Sequence, residues 1–225
     1  MKTVIVAEKK SVAEDLVRAL LTGRAETHDG FFSSGDTAVT YCSGHLVGLA
    51  EPDEYPGKNW SSWRFDTLPV VPDELEFRYK PVSERAAKQL GVIKQLARNA
   101  DLVVNACDAG REGELIFWYT LRWCGWGKGR KPGQPGDKPA KRMWYDSMTP
   151  EALRTAYREM KPISDPKFAR LAEAAYARSE ADWVLGMSAT RAASLSIPKQ
   201  HGTFAVKVWS LGRVQTPVLT EIVKS

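Results

Sequence analysis

Two short apolar runs, each followed by an acidic turn and a helix-forming segment, limit the folds open to this chain. Residues 4–7 run into Glu8, and the apolar residues from Ala13 to Leu21 then recur at helical spacing. Residues 102–106 run into the turn DAGREGE and an apolar segment that begins at Leu115. Strand, turn and helix in this order predict an α/β fold with a largely parallel sheet and flanking helices.

Weaker patterns predict the remaining elements of this sheet region. Ser11 and Glu14 have the spacing of a capping box at the start of the first helix. The alternation of Leu75, Phe77 and Tyr79 predicts a strand. Further strands are predicted at residues 37–42 and 142–145, a further helix over residues 86–97, and loops at residues 50–74 and 125–140.

The predicted secondary structure changes near residue 148, from alternating strands and helices to helices. Thr149 and Asp165 are each followed by a proline, the arrangement of a helix cap with proline in the first turn. The second of these helices is predicted to reach about Ser194. We therefore predict an α/β domain over residues 1–148 and a partial, mostly helical domain over residues 149–225.

Composition narrows the class of protein. The chain is 43% hydrophobic and 26% charged, as in soluble globular proteins, and no apolar run is long enough to span a membrane. The apolar run before Glu8 is too short for a signal peptide. Cys42, Cys107 and Cys124 are odd in number and form no CxxC pair, so we expect neither zinc nor disulfides, and a cytoplasmic protein. The net charge of +5 is compatible with binding a polyanion, or simply with a solvated surface.

Acidic residues follow both apolar runs. Glu8 and Asp108 are expected at the same edge of the sheet, because the carboxyl ends of parallel strands meet there, and Glu112 and Glu114 follow within one helical turn. Carboxylate oxygens suit Mg²⁺, which commonly bridges to phosphate, and Lys9 and Arg111 are candidate phosphate contacts. The alternative is that these acids are ordinary first-turn residues favoured by the helix dipole.

Six segments together resemble type IA DNA topoisomerases, in particular bacterial enzymes of the topoisomerase III kind. They are, in order, VIVAEKKSVAEDLVRAL, SGHLVGL, NACDAGREGELIFWY, RMWYDSMTPEAL, ARSEADWVLGMSATRA and SLGRVQTPVL. The first four are similar to the Toprim domain, a Rossmann-like fold that these enzymes share with primases and some nucleases. The last two are similar to the next domain of the family, which helps to bind single-stranded DNA.

The resemblance implies roles for residues of the sheet region. Glu8 corresponds to the catalytic Toprim glutamate and Lys9 to a phosphate-contacting lysine. Asp108 and Glu112 correspond to the first and last acids of a DxDxE element, and Mg²⁺ is the implied metal. The middle acid is replaced by Gly110, with Glu114 as a candidate substitute ligand.

Other matched residues are implied to contact DNA. Arg178 and Asp182 match an Arg-x-x-x-Asp pair in which the acid orients the arginine, the alternative being a surface ion pair. Arg213 and Gln215 match DNA contacts, the alternative being a helix cap. His45 is either a phosphate contact or a structural histidine. Some of the eight tryptophans can stack on bases, although Trp118, Trp123 and Trp183 fit core positions better.

The cleavage tyrosine of the family is not found among the 225 residues. The family places it in a Tyr-x-Arg-Thr setting downstream of GRVQTP, and Tyr176-Ala177-Arg178-Ser179 only imitates it, inside a predicted helix. We therefore expect the metal-binding part of a strand-passage enzyme, inactive by itself. The alternatives are another Toprim phosphotransfer enzyme, such as a primase or nuclease relative, and a non-enzymatic fragment that binds single-stranded DNA.

Overall fold

A computed structural model describes residues 2–126, 138–197 and 208–224. Its contacts divide the chain into two compact units. The first unit contains Met1–Gly48 and Tyr79–Tyr176, and the second contains Leu49–Arg78 and Ala177–Ser225. This division differs from the two predicted domains, which have a single boundary near residue 148. The predicted boundary stays a proposal.

The first unit is built on a seven-stranded sheet with the strand order β2-β3-β4-β1-β7-β8-β9. The central strands β4, β1, β7 and β8 are parallel, and the outer pairs are antiparallel, so the predicted α/β fold with a largely parallel sheet is confirmed. A separate two-stranded sheet is formed by β5 and β6. The strands are β1 (Thr3–Ala7), β2 (Glu26–His28), β3 (Phe31–Ser34), β4 (Thr37–Tyr41), β5 (Val47–Leu49), β6 (Tyr79–Pro81), β7 (Leu102–Ala106), β8 (Ala140–Arg142) and β9 (Lys161–Pro162).

Helices connect and follow these strands. They are α1 (Lys10–Leu20), α2 (Glu84–Asn99), α3 (Arg111–Trp123), α4 (Pro150–Arg158), α5 (Pro166–Ser196) and α6 (Gln215–Lys224). The predicted start of α4 is confirmed, because the Thr149 side chain accepts from the Ala152 amide and Pro150 is the first helical residue. Within the described residues, no helix has the length and apolar character that crossing a bilayer requires.

The core of the first unit forms where the sheet meets α1 and α4. Ile5, Val39 and Val104 lie on neighbouring strands and are fully buried, together with Leu16 of α1 and Leu153 of α4. Each large aliphatic side chain buried in this way contributes about 1.5–3 kcal/mol. This core fixes the strand ends, and with them the turns that follow the strands.

Aromatic rings form the core of the second unit. Trp183 packs against Tyr55 and Phe77 with ring centroids 5.6 Å away in both cases, and its Nε1 donates to the carbonyl of Ala50 at 3.0 Å. Trp183 is buried here and Trp118 is buried in the first unit, so core positions are confirmed for both. Trp123 is half-buried beneath Lys94, whose ammonium lies 5.6 Å from the ring centroid.

Several local predictions were wrong. Ser11 lies inside α1 rather than at its cap, since the cap is Lys9 and no side chain bonds to the first turn. Residues 75–79 do not form one strand, because a short 3-10 helix, Asp73–Leu75, precedes β6. The strand predicted at residues 142–145 ends at Arg142, and β9 interrupts the region predicted to be helical. Most of the predicted loop at residues 125–140 lies outside the described residues.

Candidate metal and phosphate site

Three neighbouring parallel strands end together at one edge of the sheet. Ala7 of β1 is paired with Tyr41 of β4 on one side and with Ala106 of β7 on the other. Backbone hydrogen bonds continue this alignment past the strand ends, from the Cys42 amide to the Ala7 carbonyl and from the Gly44 amide to the Glu8 carbonyl at 3.0 Å. The turns after β1, β4 and β7 therefore form one surface.

Glu8 and Asp108 both lie at this edge, as the sequence predicts. Glu8 follows the end of β1 directly and is buried, with Oε1 3.3 Å from the ammonium nitrogen of Lys9. Asp108 is exposed, two residues beyond the end of β7. Burial is the main cause that raises the pKa of the nearby Tyr145 hydroxyl, with smaller contributions from Cys107, Asp108 and Glu8. The two acids therefore share one edge of the sheet.

His45 and Glu112 meet at the same surface. His45 follows β4 and Glu112 lies in the first turn of α3, and their Nε2 and Oε2 atoms are 3.5 Å apart. Both side chains are largely exposed, at 43% for His45 and 65% for Glu112. Arg111, the first residue of α3, is also exposed.

Glu114 differs from the other acids because it is buried in an ion pair. Its Oε1 accepts from Nε of Arg142 at 2.7 Å, and its Oε2 accepts from Asn105 Nδ2 and Trp118 Nε1. Burial raises the pKa of Glu114, and the Arg142 guanidinium opposes that rise. Both oxygens thus have protein partners, which gives Glu114 a structural role, and its ligation of a metal stays a prediction.

Arg142 holds the turn after β7 and was missed by the sequence prediction. Besides Glu114, its guanidinium donates to the carbonyls of Cys107 and Asp108, each at 2.7 Å, and to that of Met143. The sequence indicates this role only by placing an arginine in the apolar run RMWY. An arginine buried there requires a carboxylate partner for its guanidinium. Arg142 therefore positions the backbone of Asp108.

Gly113 is fixed by close contact with the same turn. A Cβ atom at this position would lie 2.1 Å from the Asp108 carbonyl oxygen and 2.9 Å from its amide nitrogen. Any side chain would therefore displace Asp108. The turn DAGREGE can approach α3 this closely only with glycine at its sixth position.

The chemistry of these side chains fits a magnesium ion that is only partly held by protein. Glu8 and Asp108 offer hard oxygen donors, and Mg²⁺ is commonly bound by one or two carboxylates, its remaining positions being filled by water and phosphate. Within residues 2–126, 138–197 and 208–224, no three His, Cys, Asp or Glu side chains are grouped as ligands of one ion. The donors therefore suit an open site completed by a phosphate, rather than a closed protein cage.

Residues 3–134, which contain this entire edge, match the family described as Toprim domain. The chain belongs to the Toprim family. Residues 166–225 match a second family, described as DNA topoisomerase. The resemblance predicted from the six sequence segments is thereby confirmed, and the Toprim match includes every predicted site residue from Glu8 to Glu114.

Relatives with curated descriptions are topoisomerases. The Toprim chain is 37% identical over 225 residues to DNA topoisomerase 3 of Bacillus subtilis (strain 168), covering 99% of this chain and 27% of that protein. It is 35% identical over 227 residues to DNA topoisomerase 3 of Staphylococcus epidermidis (strain ATCC 12228 / FDA PCI 1200), covering 100% and 28%. The chain therefore spans about a quarter of the length of these relatives.

A solved structure of full-length topoisomerase I from Thermotoga maritima has a similar fold. The TM-score is 0.50 at 22% sequence identity, over 83% of this Toprim chain and 25% of that chain. At this identity the likeness establishes the fold alone.

The residues predicted to contact DNA beyond the Toprim match lie in the second unit. Asp182 accepts from both Nε and Nη2 of Arg213, whereas Nε of Arg178 is 3.8 Å away. The predicted hydrogen bond between Arg178 and Asp182 is therefore a looser ion pair, because Arg213 takes both carboxylate oxygens. These arginines lower the pKa of Asp182, the hydrogen bond from Arg213 most strongly. Gln215 begins α6, and its Nε2 donates to Oγ of Ser210 at 3.2 Å.

Tyr176, which imitates the motif of the cleavage tyrosine, is buried within α5. Its ring packs edge-on against Tyr119, with the centroids 4.8 Å apart. Burial is the main cause that raises the pKa of its hydroxyl well above the ordinary value. A buried phenol that resists ionisation is poorly suited to attack a phosphate.

Proposed function

We propose that this Toprim chain is the metal- and phosphate-binding part of a type IA DNA topoisomerase of the topoisomerase III kind. Such an enzyme cuts one DNA strand, passes another strand through the break and religates it. One observation carries the proposal: Glu8 directly follows β1 and Asp108 follows β7, adjacent parallel strands whose last residues are paired at one edge of the sheet. Because the chain spans about a quarter of its relatives, this activity is proposed for a longer protein.

In this proposal Glu8 and Asp108 hold Mg²⁺, and Glu112, in the first turn of α3, is the further acid that the family resemblance implies. When bound, the ion neutralises phosphate charge and stabilises the charge that develops during cleavage. Lys9 is 59% exposed beside Glu8, so its ammonium can turn to a phosphate oxygen. Arg111 and His45 supply further N–H donors at the same surface.

The second unit contributes contacts to single-stranded DNA. Arg178 is held only loosely by Asp182, at 3.8 Å, and its side chain is 41% exposed, so most of its N–H donors are open to phosphate oxygens. Arg213 is more restrained, because Asp182 takes its Nε and Nη2 donors. We therefore assign direct phosphate contact to Arg178 and Gln215, and mainly a positioning role to Arg213 and Asp182. We also propose a cytoplasmic location, because the relatives are bacterial proteins and the proposed substrate is DNA.

Metal binding by the chain tests the carboxylate pair directly. Titration calorimetry with Mg²⁺ is expected to detect binding to the 225-residue chain, and to detect none in Glu8→Gln or Asp108→Asn. Asp36→Asn is the matched control, because Asp36 lies at the opposite end of the sheet and is exposed beside Lys2. Unchanged metal binding in both site variants, with folding intact, would refute the proposed site.

Activity assays separate the alternatives. The 225-residue chain with Mg²⁺ is expected not to relax negatively supercoiled plasmid, since it has no Tyr-x-Arg-Thr segment and Tyr176 is buried. Cleavage or primer synthesis that disappears in Glu8→Gln would instead indicate another Toprim phosphotransfer enzyme. Salt-sensitive single-strand binding by a chain that binds no Mg²⁺ would indicate a non-enzymatic fragment.

A further inference from the structure

A groove in the first unit begins beside the metal edge and does not include the carboxylates proposed to hold Mg²⁺. Its volume is about 510 Å³, within the range of small-ligand sites. Three segments line it: the turn between β2 and β3, the turn after β4, and the start of α2. The side chains that matter for its chemistry are Asp29, Ser43, His45, Arg85, Lys88 and Gln89.

Gln89 holds the wall of this groove in place. Its Nε2 donates to the carbonyls of Gly30 and Tyr41, at 3.0 and 2.8 Å, and to Oγ1 of Thr40 at 3.2 Å. These bonds join α2 to β4 and to the turn before β3. The groove is therefore fixed by the fold and keeps its shape without a ligand.

Two basic side chains of the groove are available to a ligand. Arg85 and Lys88 are three residues apart at the start of α2, on the same face of the helix, and both are exposed. Among the described residues, neither side chain has a hydrogen-bond or ion-pair partner. Within the described lining these two cations outnumber the carboxylates, since Asp29 is the single acid, so the groove has a net positive charge.

The turn after β4 connects the groove to the metal edge. His45 lines the groove, and its Nε2 is 3.5 Å from Oε2 of Glu112. Ser43 adds a hydroxyl to the lining, and the Gly44 amide between these two residues donates to the Glu8 carbonyl. A ligand in the groove would therefore lie next to a phosphate held at the metal edge. Guanidinium, ammonium and hydroxyl donors together suit a phosphate group.

We propose that this groove is a second phosphate-binding site, next to the phosphate at the metal. The chemistry is the same whether the phosphate belongs to a DNA strand that continues past the metal edge or to a free nucleotide. A phosphate contact of this kind positions a strand without reading its bases. The inference deepens the proposed function and rests on it.

Fluorescence anisotropy with a thymine oligomer that lacks terminal phosphates tests the DNA strand as the source. The 225-residue chain is titrated in EDTA at several salt concentrations, so that metal binding takes no part. Arg85→Gln and Lys88→Gln should each weaken binding about fivefold at low salt, because one charged contact is lost. Each should also flatten the slope of log K against log salt concentration by about 0.7. An adenine oligomer should show the same losses.

Arg98→Gln is the matched control. Arg98 is also exposed on α2, but it lies in the last turn of that helix and does not line the groove. This variant should keep the affinity and the salt slope of the wild type. Circular dichroism should be unchanged in all three variants, because glutamine is a good helix former.

Calorimetry with pyrophosphate in the same buffer tests a free phosphate as the source. Pyrophosphate binding that is lost in Arg85→Gln and Lys88→Gln, with oligomer binding unchanged, would assign the groove to a free phosphorylated ligand. If both variants bind both probes as the wild type does, or if Arg98→Gln has the same effect as they do, the inference is overturned.

Failure of the proposed function gives a different result. A wild-type chain that binds pyrophosphate through Arg85 and Lys88 but binds neither oligomer would contradict the DNA-binding function and support the groove. A chain that binds none of the probes would overturn both.

Discussion

Burial separates the acids of the turn DAGREGE into two chemical roles. Asp108 and Glu112 are exposed and free to meet a ligand, whereas Glu114 is 1% exposed and paired with Arg142. An ion pair that is removed from water carries a large desolvation cost, which its mutual attraction offsets only while both partners are present. The Glu114–Arg142 pair thus supports the site. Its loss should shift the backbone at Asp108.

The Glu114→Gln substitution tests this support. It leaves the buried Arg142 without a charged partner, so the free energy of unfolding should fall by about 3–5 kcal/mol. Glu14→Gln is the matched control, because Glu14 is 42% exposed and pairs with Lys10 across one helical turn, and it should cost about 0–1 kcal/mol. Urea unfolding followed by circular dichroism measures both. Equal effects in the two variants would contradict a structural role for Glu114.

Gly110 occupies the position at which the Toprim resemblance implies a middle acid. A Cβ atom there would meet nothing within 4 Å, although the φ of +159° is one that side chains rarely adopt, so any substitution carries the same backbone strain. Gly110→Asp should bind Mg²⁺ roughly fivefold more tightly, since one more charge near an exposed ion contributes about 1 kcal/mol. Gly110→Asn, which has the same shape without the charge, is the control. If calorimetry finds no difference between Asp and Asn, position 110 does not face the metal.

At the scale of elements, the turn after β7 is clamped between Arg142 and α3. Gly113→Ala would place a methyl group 2.1 Å from the Asp108 carbonyl, which must then move away from Arg142. We expect a loss of stability of about 1–3 kcal/mol together with weakened Mg²⁺ binding. Chemical denaturation and calorimetry on the same variant measure the two effects.

A second glycine provides the comparison for Gly113→Ala. Gly91 lies in the middle of α2, where an added Cβ meets nothing within 4 Å. Gly91→Ala should therefore stabilise the protein by about 0.5–1 kcal/mol, because alanine favours the helix, and leave Mg²⁺ binding unchanged. A Gly113→Ala variant that behaved in the same way would show that the turn tolerates a side chain.

Elements with a continuous apolar run or a clear helical period could be predicted from the sequence. The strand at residues 102–106 and α5 are examples, because burial on all sides or on one face leaves a periodic pattern. The positions of Glu8 and Asp108 at the sheet edge could be predicted because each acid follows such an apolar run. Phe77 was misleading, since its alternation with Leu75 and Tyr79 reflects burial in an irregular segment of the second unit. The Arg142 network joins residues 28 positions apart, a separation that no local pattern encodes.

At the scale of the whole molecule, each unit carries its own chemistry. Carboxylates and phosphate-binding donors lie at the sheet edge of the first unit, and arginines and aromatic rings line the second. The two proposed sites share no residue. Substitutions at Glu8 should therefore leave single-strand binding intact, and substitutions at Arg178 should leave metal binding intact.

The helix α6 gives the molecule an exposed apolar stripe. Val218, Leu219, Ile222 and Val223 repeat at helical spacing on α6 and are 53%, 61%, 65% and 77% exposed. Exposed stripes of this kind promote association, because covering them removes apolar surface from water. We expect the 225-residue chain to self-associate as its concentration rises, and Leu219→Lys to shift it toward monomer.

Leu75→Lys is the control, since Leu75 is also 61% exposed but lies outside the stripe, in the 3-10 helix Asp73–Leu75. Sedimentation velocity across a concentration series measures this directly. A chain that stays monomeric throughout, or equal responses to both lysines, would show that α6 does not drive association.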